Sequence, residues 1–208
     1  MRPIAAASVA VLALLIAMPA SGASARRASR RSSCPAAGHA LVADAQAEVY
    51  EADGRFHREV FACAYATRRV SDLGAAPGEA SPEGAAGAQL ETITLNGSLV
   101  GYEHFNVNPY DNSSWIIIVQ DLRTGHIIHR VHTLGGYAEQ IIVKKDGSAA
   151  WITDTRYGPS EYAVVALGKA GAPRVLAQGP DIASTSLALG GNTLYWTKGK
   201  QAYSTLLP

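Results

Sequence analysis

Three segments of the 208-residue chain can be laid over one another on a glycine. They are Leu95-Asn96-Gly97-Ser98-Leu99-Val100-Gly101-Tyr102, Val143-Lys144-Lys145-Asp146-Gly147-Ser148-Ala149-Ala150-Trp151-Ile152 and Leu189-Gly190-Gly191-Asn192-Thr193-Leu194-Tyr195-Trp196. In each, one apolar run stops at a turn and a second follows at once. Glycine supplies the positive φ that such hairpins demand, so Gly97, Gly147 and Gly191 are read as structural turns. They are spaced by 50 and 44 residues. A period of about 40 to 50 residues with several strands per unit is the pattern of β-propeller blades, small sheets that bury their faces by stacking on neighbours. The expected fold class is all-β: a β-propeller-like domain of about four blades of antiparallel strands, the last incomplete, its ring open or barely closed.

Hydrophobic periodicity and turn residues divide a domain over residues 39–208 into repeats at about 40–73, 90–133, 138–178 and 182–206. Strands are expected at 41–45, 47–52, 58–64 and 69–73 in the first repeat, with Asp53-Gly54 as a hairpin signal. The second repeat gives 90–95, 98–105, 114–121 and 126–132, and the third 139–144, 148–154, 161–167 and 173–177. The fourth offers only 184–189, 193–197 and 201–206. Trp115-Ile116-Ile117-Ile118-Val119 lacks polar alternation, as a strand covered on both faces does. Residues 74–89, rich in Gly, Ala and Pro with no aromatic or β-branched side chain, read as an exposed loop between blades.

Leu95 to Tyr102, followed by Ile118-Val119-Gln120-Asp121-Leu122-Arg123-Thr124-Gly125, resembles a blade of the TolB-like and WD40-like propeller repeats of exported bacterial proteins. The resemblance covers Leu90 to Thr133 well and residues 138–206 loosely. A Ser-Pro-Asp-Gly turn and a Trp-Asp dipeptide, which those repeats carry, are absent. The resemblance implies blade architecture and a strand register; propellers host many unrelated activities, so it implies no reaction.

The N-terminus reads as a secretory signal peptide over residues 1–25. An uncharged run from Ile4 to Met18 is shorter than the roughly 20 residues a membrane span needs, and small residues follow it, with cleavage expected after Ala23 or Ala25. Residues 26–38, with Arg26, Arg27, Arg30 and Arg31, form a basic and polar arm expected to be flexible. After cleavage no later segment approaches the length of a span, and the expected location is secreted, periplasmic or otherwise extracytoplasmic. Loss of Arg2 leaves 17 basic and 17 acidic side chains, a balance that argues against nucleic acid as a partner. In an oxidising compartment the only two cysteines, Cys34 and Cys63, are most simply a disulfide.

Candidate chemistry is sparse. His126, His129 and His132 fall on an expected strand, where His129 points away from the other two and those lie about 20 Å apart, so the cluster reads as an ordinary outer strand rather than a metal site. The oxygen-rich segment from Asn106 to Ser114 lacks the spaced carboxylates of a calcium loop. Asn96-Gly97-Ser98 and Asn112-Ser113-Ser114 match the N-glycosylation pattern. His57, Asp154 and Ser160 are types a hydrolase uses, with nothing in the sequence to unite them. Trp151, Tyr195 and Trp196 occupy matched repeat positions and read first as blade packing; exposed, such rings bind sugars or peptides. No catalytic, cofactor-binding or metal residues are assigned. The expected function is an exported, noncatalytic binding or scaffold module taking a protein or glycan ligand. The alternative is a carbohydrate-active hydrolase or lyase built from several blades, marked by a cleft where carboxylates, or a histidine and a carboxylate, converge. An open ring would leave apolar blade faces uncovered, so self-association is expected.

Overall fold

Residues 34, 38–54, 57–76, 87–88, 92–106, 114–155 and 161–208 are described by a computed structural model, and all regular structure among them is β. The expected signal peptide and most of the basic arm lie outside the described residues. Blade 1 comprises β1 (His39–Ala43), β2 (Ala47–Asp53), β3 (Arg58–Ala64) and β4 (Arg69–Ala75). A two-residue strand, β5 (Gly87–Ala88), precedes blade 2, which is β6 (Thr94–Asn96), β7 (Leu99–Asn106), β8 (Ser114–Asp121) and β9 (His126–His132). Blade 3 is β10 (Ala138–Val143), β11 (Ala149–Asp154), β12 (Tyr162–Leu167) and β13 (Arg174–Gly179). Blade 4 has three strands, β14 (Ala188–Gly190), β15 (Thr193–Lys198) and β16 (Gln201–Leu206). Within every blade, consecutive strands pair antiparallel.

Four expectations about strands are corrected. The first strand lies at 39–43 rather than 41–45, because Asp44 turns the chain there: its Oδ1 accepts the amides of Gln46 and Ala47 at 2.7 and 3.0 Å. In blade 2 the first strand is confined to 94–96, ending at the Asn96-Gly97 turn. The expected strand 184–189 is only 188–190, since the amide and hydroxyl of Ser186 both bond to the Ala183 carbonyl and hold a turn. The loop expected over 74–89 contains β5, which pairs parallel with β4 through Ala75 and Gly87 and antiparallel with β7. It thereby joins blades 1 and 2 into one nine-stranded sheet.

Three apolar layers hold the blades together. Val49, Val60 and Ala62 of blade 1 meet Val100, Tyr102, Ile116 and Ile118 of blade 2. Ile117 and Val119, on the opposite face of β8, meet Ile141, Trp151 and Val165 of blade 3. Ile152 and Val164 meet Leu187, Leu194, Trp196 and Leu207 of blade 4. The continuous run Ile116–Val119 is buried on both faces, as its unbroken apolar sequence requires. Among the described residues none of the three layers joins blade 4 to blade 1, which is consistent with an open propeller-like arrangement.

Cys34 and Cys63 are disulfide-bonded with Cα atoms 6.0 Å apart. This bond and the position of Gly38 against the Tyr50 ring place Cys34 and Gly38 on the face of blade 1 where Tyr50 and Phe61 stack at 5.7 Å. The disulfide, and the finding that no helix among the described residues is long and apolar enough to cross a membrane, are compatible with an extracytoplasmic protein.

Candidate functional site

An antiparallel meander sorts its connections by end. The turns between the first and second strands of a blade, and between the third and fourth, lie at one end: Asp44–Gln46, Tyr65–Arg68, Gly97-Ser98, Leu122–Gly125, Lys144–Ser148, Gly168–Pro173 and Gly191-Asn192. They are tight, with Gly97, Gly147 and Gly191 at φ +70, +94 and +61°. The opposite end receives the hairpins between second and third strands and every passage to the next blade. Long segments leave and re-enter there, at Asn106 and Ser114 and at Thr155 and Glu161. Loops on a rigid scaffold are where binding residues concentrate, and this rim is where the cavity and the stacked aromatics occur.

Phe105, the penultimate residue of β7, and Trp115, the second of β8, face each other in register and stack at 4.0 Å between ring centroids. Trp115 is followed at 6.0 Å by the tilted ring of Tyr137, immediately before β10. All three rings are half-buried. They continue the apolar layer between blades 2 and 3 out to the rim. Beneath them Glu103 is fully buried, its Oε1 accepting the Ala138 amide at 2.6 Å and so tying β10 to β7. Trp151, fully buried, donates Nε1–H to the Thr133 carbonyl at 2.9 Å.

The segment from Thr133 to Tyr137 is held rigidly. The Thr133 hydroxyl donates to the Gly136 carbonyl at 2.7 Å, and the Thr153 hydroxyl lies 3.1 Å from the carbonyls of both Gly136 and Tyr137. These bonds fix Leu134 at φ +66°, a conformation rare for a branched side chain, and leave it half exposed. Leu134 and Gly135, with Thr155, Glu161, Val175 and Gln178, line a cavity of about 270 Å³. Its apolar lining is Leu134, Ala163 and Val175, of which Leu134 and Val175 are half exposed. The Thr155 hydroxyl donates to the Glu161 carbonyl at 2.7 Å, and Gln178 Nε2 donates to Glu161 Oε2 at 3.0 Å. This is an open concavity whose lining mixes apolar and polar groups, with Glu161 held between Thr155 and Gln178.

The other sequence candidates fall elsewhere. His126, His129 and His132 lie on β9, the outer strand of blade 2; His126 and His132 are exposed and His129 is half-buried. No group of three or more His, Cys, Asp or Glu side chains suited to a metal ion occurs among the described residues. Asn106 to Ser114 has only its two ends inside the described residues, and Ser160 lies outside them, as does Asn112. His57 and Asp154 sit in different blades, and His57 Nε2 has Glu59 Oε1 at 3.9 Å on its own hairpin. Asn96 donates Nδ2–H to the Val143 carbonyl at 2.8 Å. Trp151 and Trp196 are buried between blades, whereas Tyr195, at 44 % exposure, is on the outer face of blade 4.

Sequence reasoning missed the rim. Phe105 and Trp115 flank the Asn-rich segment at matched distances from it, a signal available in the sequence. Tyr137 and Glu161 are brought in only by stacking of blade 3 on blade 2. No family model, curated protein or solved structure matches this chain.

Proposed function

We propose that this protein is an exported, noncatalytic binding module whose long-loop rim takes a glycan. The observation that carries the reading is the stacked series Phe105–Trp115–Tyr137, half-buried at the rim, where the segment that ends in Tyr137 also supplies Leu134 and Gly135 to the cavity. Flat aromatic rings offer area to the apolar C–H faces of sugar rings at little entropic cost, while Glu161, Gln178 and Thr155 supply hydrogen-bonding groups beside them. Export is supported by the signal-like N-terminus and the disulfide. The blades themselves are taken as kin of TolB-like and WD40-like repeats, which supplies their register and no ligand.

Trp115 also provides the probe. Of the three tryptophans, Trp151 and Trp196 are buried, so ligand at the rim should perturb chiefly Trp115 emission. Titration with a panel of neutral and acidic oligosaccharides, run beside extended peptides, is expected to give a saturable fluorescence change with a glycan. Trp115→Ala should weaken binding at least about tenfold, the worth of one good aromatic contact. Retained affinity in Trp115→Ala, or saturable binding by peptides alone, contradicts the reading.

A further inference from the structure

Blade 4 leaves β16 in a position that no other blade leaves open. In blades 1 to 3 the third strand, β3, β8 or β12, is sandwiched between the second and the fourth. β16 is a third strand, and among the described residues nothing pairs with its outer side. Among the described residues none supplies a fourth strand beside it. Leu207 is buried against blade 3, its amide donates to the Asn192 carbonyl at 2.8 Å, and Lys144 Nζ donates to the Leu207 carbonyl at 3.1 Å.

Sheet edges invite pairing with other chains, and proteins blunt them with charge, bulges or brevity. The described blade edges follow that rule everywhere except here. On the outside, β4 carries Arg69 and Asp72, β9 carries Arg130, and β13 carries Arg174; each also breaks register with its partner, at Val60/Phe61, Val119/Gln120 and Val164/Val165. On the inside, β1 and β10 break register at Ala40/Val42 and Ala138/Gln140, and β6 and β14 are three residues long. β16 reads Gln-Ala-Tyr-Ser-Thr-Leu, six uncharged residues paired to β15 without a register shift. Tyr203 and Leu206 on it are 41 and 67 % exposed.

We propose that β16 is a self-pairing edge: two copies of the protein join antiparallel through β16, merging two three-stranded blades into one six-stranded sheet. Three features favour a second copy over a foreign strand. An uncharged edge meets its own copy without repulsion and offers a charged partner nothing to select. Antiparallel pairing about a two-fold axis sends the two Lys198-Gly199-Lys200 turns to opposite ends, where they do not oppose each other. Head-to-tail closure, with blade 4 of one copy seated on blade 1 of the next, is obstructed by Cys34 and Gly38 lying over blade 1. The inference stands apart from the ligand reading, because β16 contributes nothing to the rim cavity.

Sedimentation velocity on the purified protein with its disulfide intact, from about 1 to about 100 µM, is the test. A concentration-dependent dimer is expected, together with slowed hydrogen exchange at β16 amides as the dimer forms. Ser204→Lys places like charges on both edges and should raise the dissociation constant at least about tenfold. Leu206→Lys, at an exposed site where folding is not at stake, should act in the same direction. A wild-type monomer at the highest concentration overturns the proposal. So does a dimer that both variants leave intact, or one in which β16 exchange stays fast.

Discussion

Tyr102 shows how far a single buried side chain sets the conditions under which this fold holds. It lies between blades 1 and 2 at 4 % exposure, and burial pushes its hydroxyl up from 10.0 to about 12, with Arg130 opposing and Asp72 adding to the rise. A group whose folded pKa is raised contributes stability that is complete below the unfolded value and lost as pH climbs towards the folded one. The window is therefore from about pH 10 to about pH 12. His104 and His129 are shifted the other way: burial lowers both, and Arg130 lowers His104 further. The unfolded chain takes up those protons first, so stability falls as pH drops through about 6.5. Denaturant midpoints should form a plateau between these limits, and Tyr102→Phe should lose much less stability than wild type between pH 10 and 12. Equal losses in the two proteins would contradict the assignment. At this scale the turn glycines were legible, because a positive φ in a hairpin leaves a local mark in sequence. The shifted Tyr and His were not, since burial depends on which blade comes to lie opposite.

The strands were legible where their two neighbours are local. β7 to β9 and β11 to β13 stand within two residues of their expected ends, because alternation and turn residues act over a few positions. β5 was missed for the opposite reason: Gly87-Ala88 carries no β-propensity and is held by strands already in place on both sides. The bonds that join blades were equally invisible. Gln140 and Leu187 form a reciprocal clasp, Nε2 donating to the Leu187 carbonyl at 3.1 Å and Oε1 accepting its amide at 2.8 Å, across 47 residues. Gly97 donates its amide to Asp44 Oδ2 at 2.7 Å across 53. Gly101 gives the sharpest test of how β7 meets blade 3. A Cβ there would run into the Val143 side chain and come within 3.2 and 3.3 Å of methyls on Thr94 and Ile141. Gly101→Ala, normally mild in a strand, should destabilise by about 1 to 3 kcal/mol in thermal or urea unfolding, the range for overpacking a tight core. A neutral or stabilising effect would mean that blades 2 and 3 do not approach so closely.

Four blades share three apolar layers, and that count shapes the domain. Among the described residues each inner blade is covered on both sides, blade 1 carries Cys34 and Gly38 on its outer face, and blade 4 has one face that no layer covers. The repeat spacing foretold the blades and the three strands of the fourth. The cysteine pair foretold the link to the third strand of blade 1 but not the face on which Cys34 lies, because such a pair gives a link and not a direction. The open face is marked by Tyr195, which alternates with buried Leu194 and Trp196 along β15 and is 44 % exposed. Were the ring closed, that ring would be covered by blade 1. Nitration of the native protein at low micromolar concentration, read residue by residue by mass spectrometry, therefore tests the open arc most directly. Tyr195 is predicted to react at the rate of an exposed tyrosine while Tyr102 resists; a Tyr195 as resistant as Tyr102 would show that the ring closes and contradict the account.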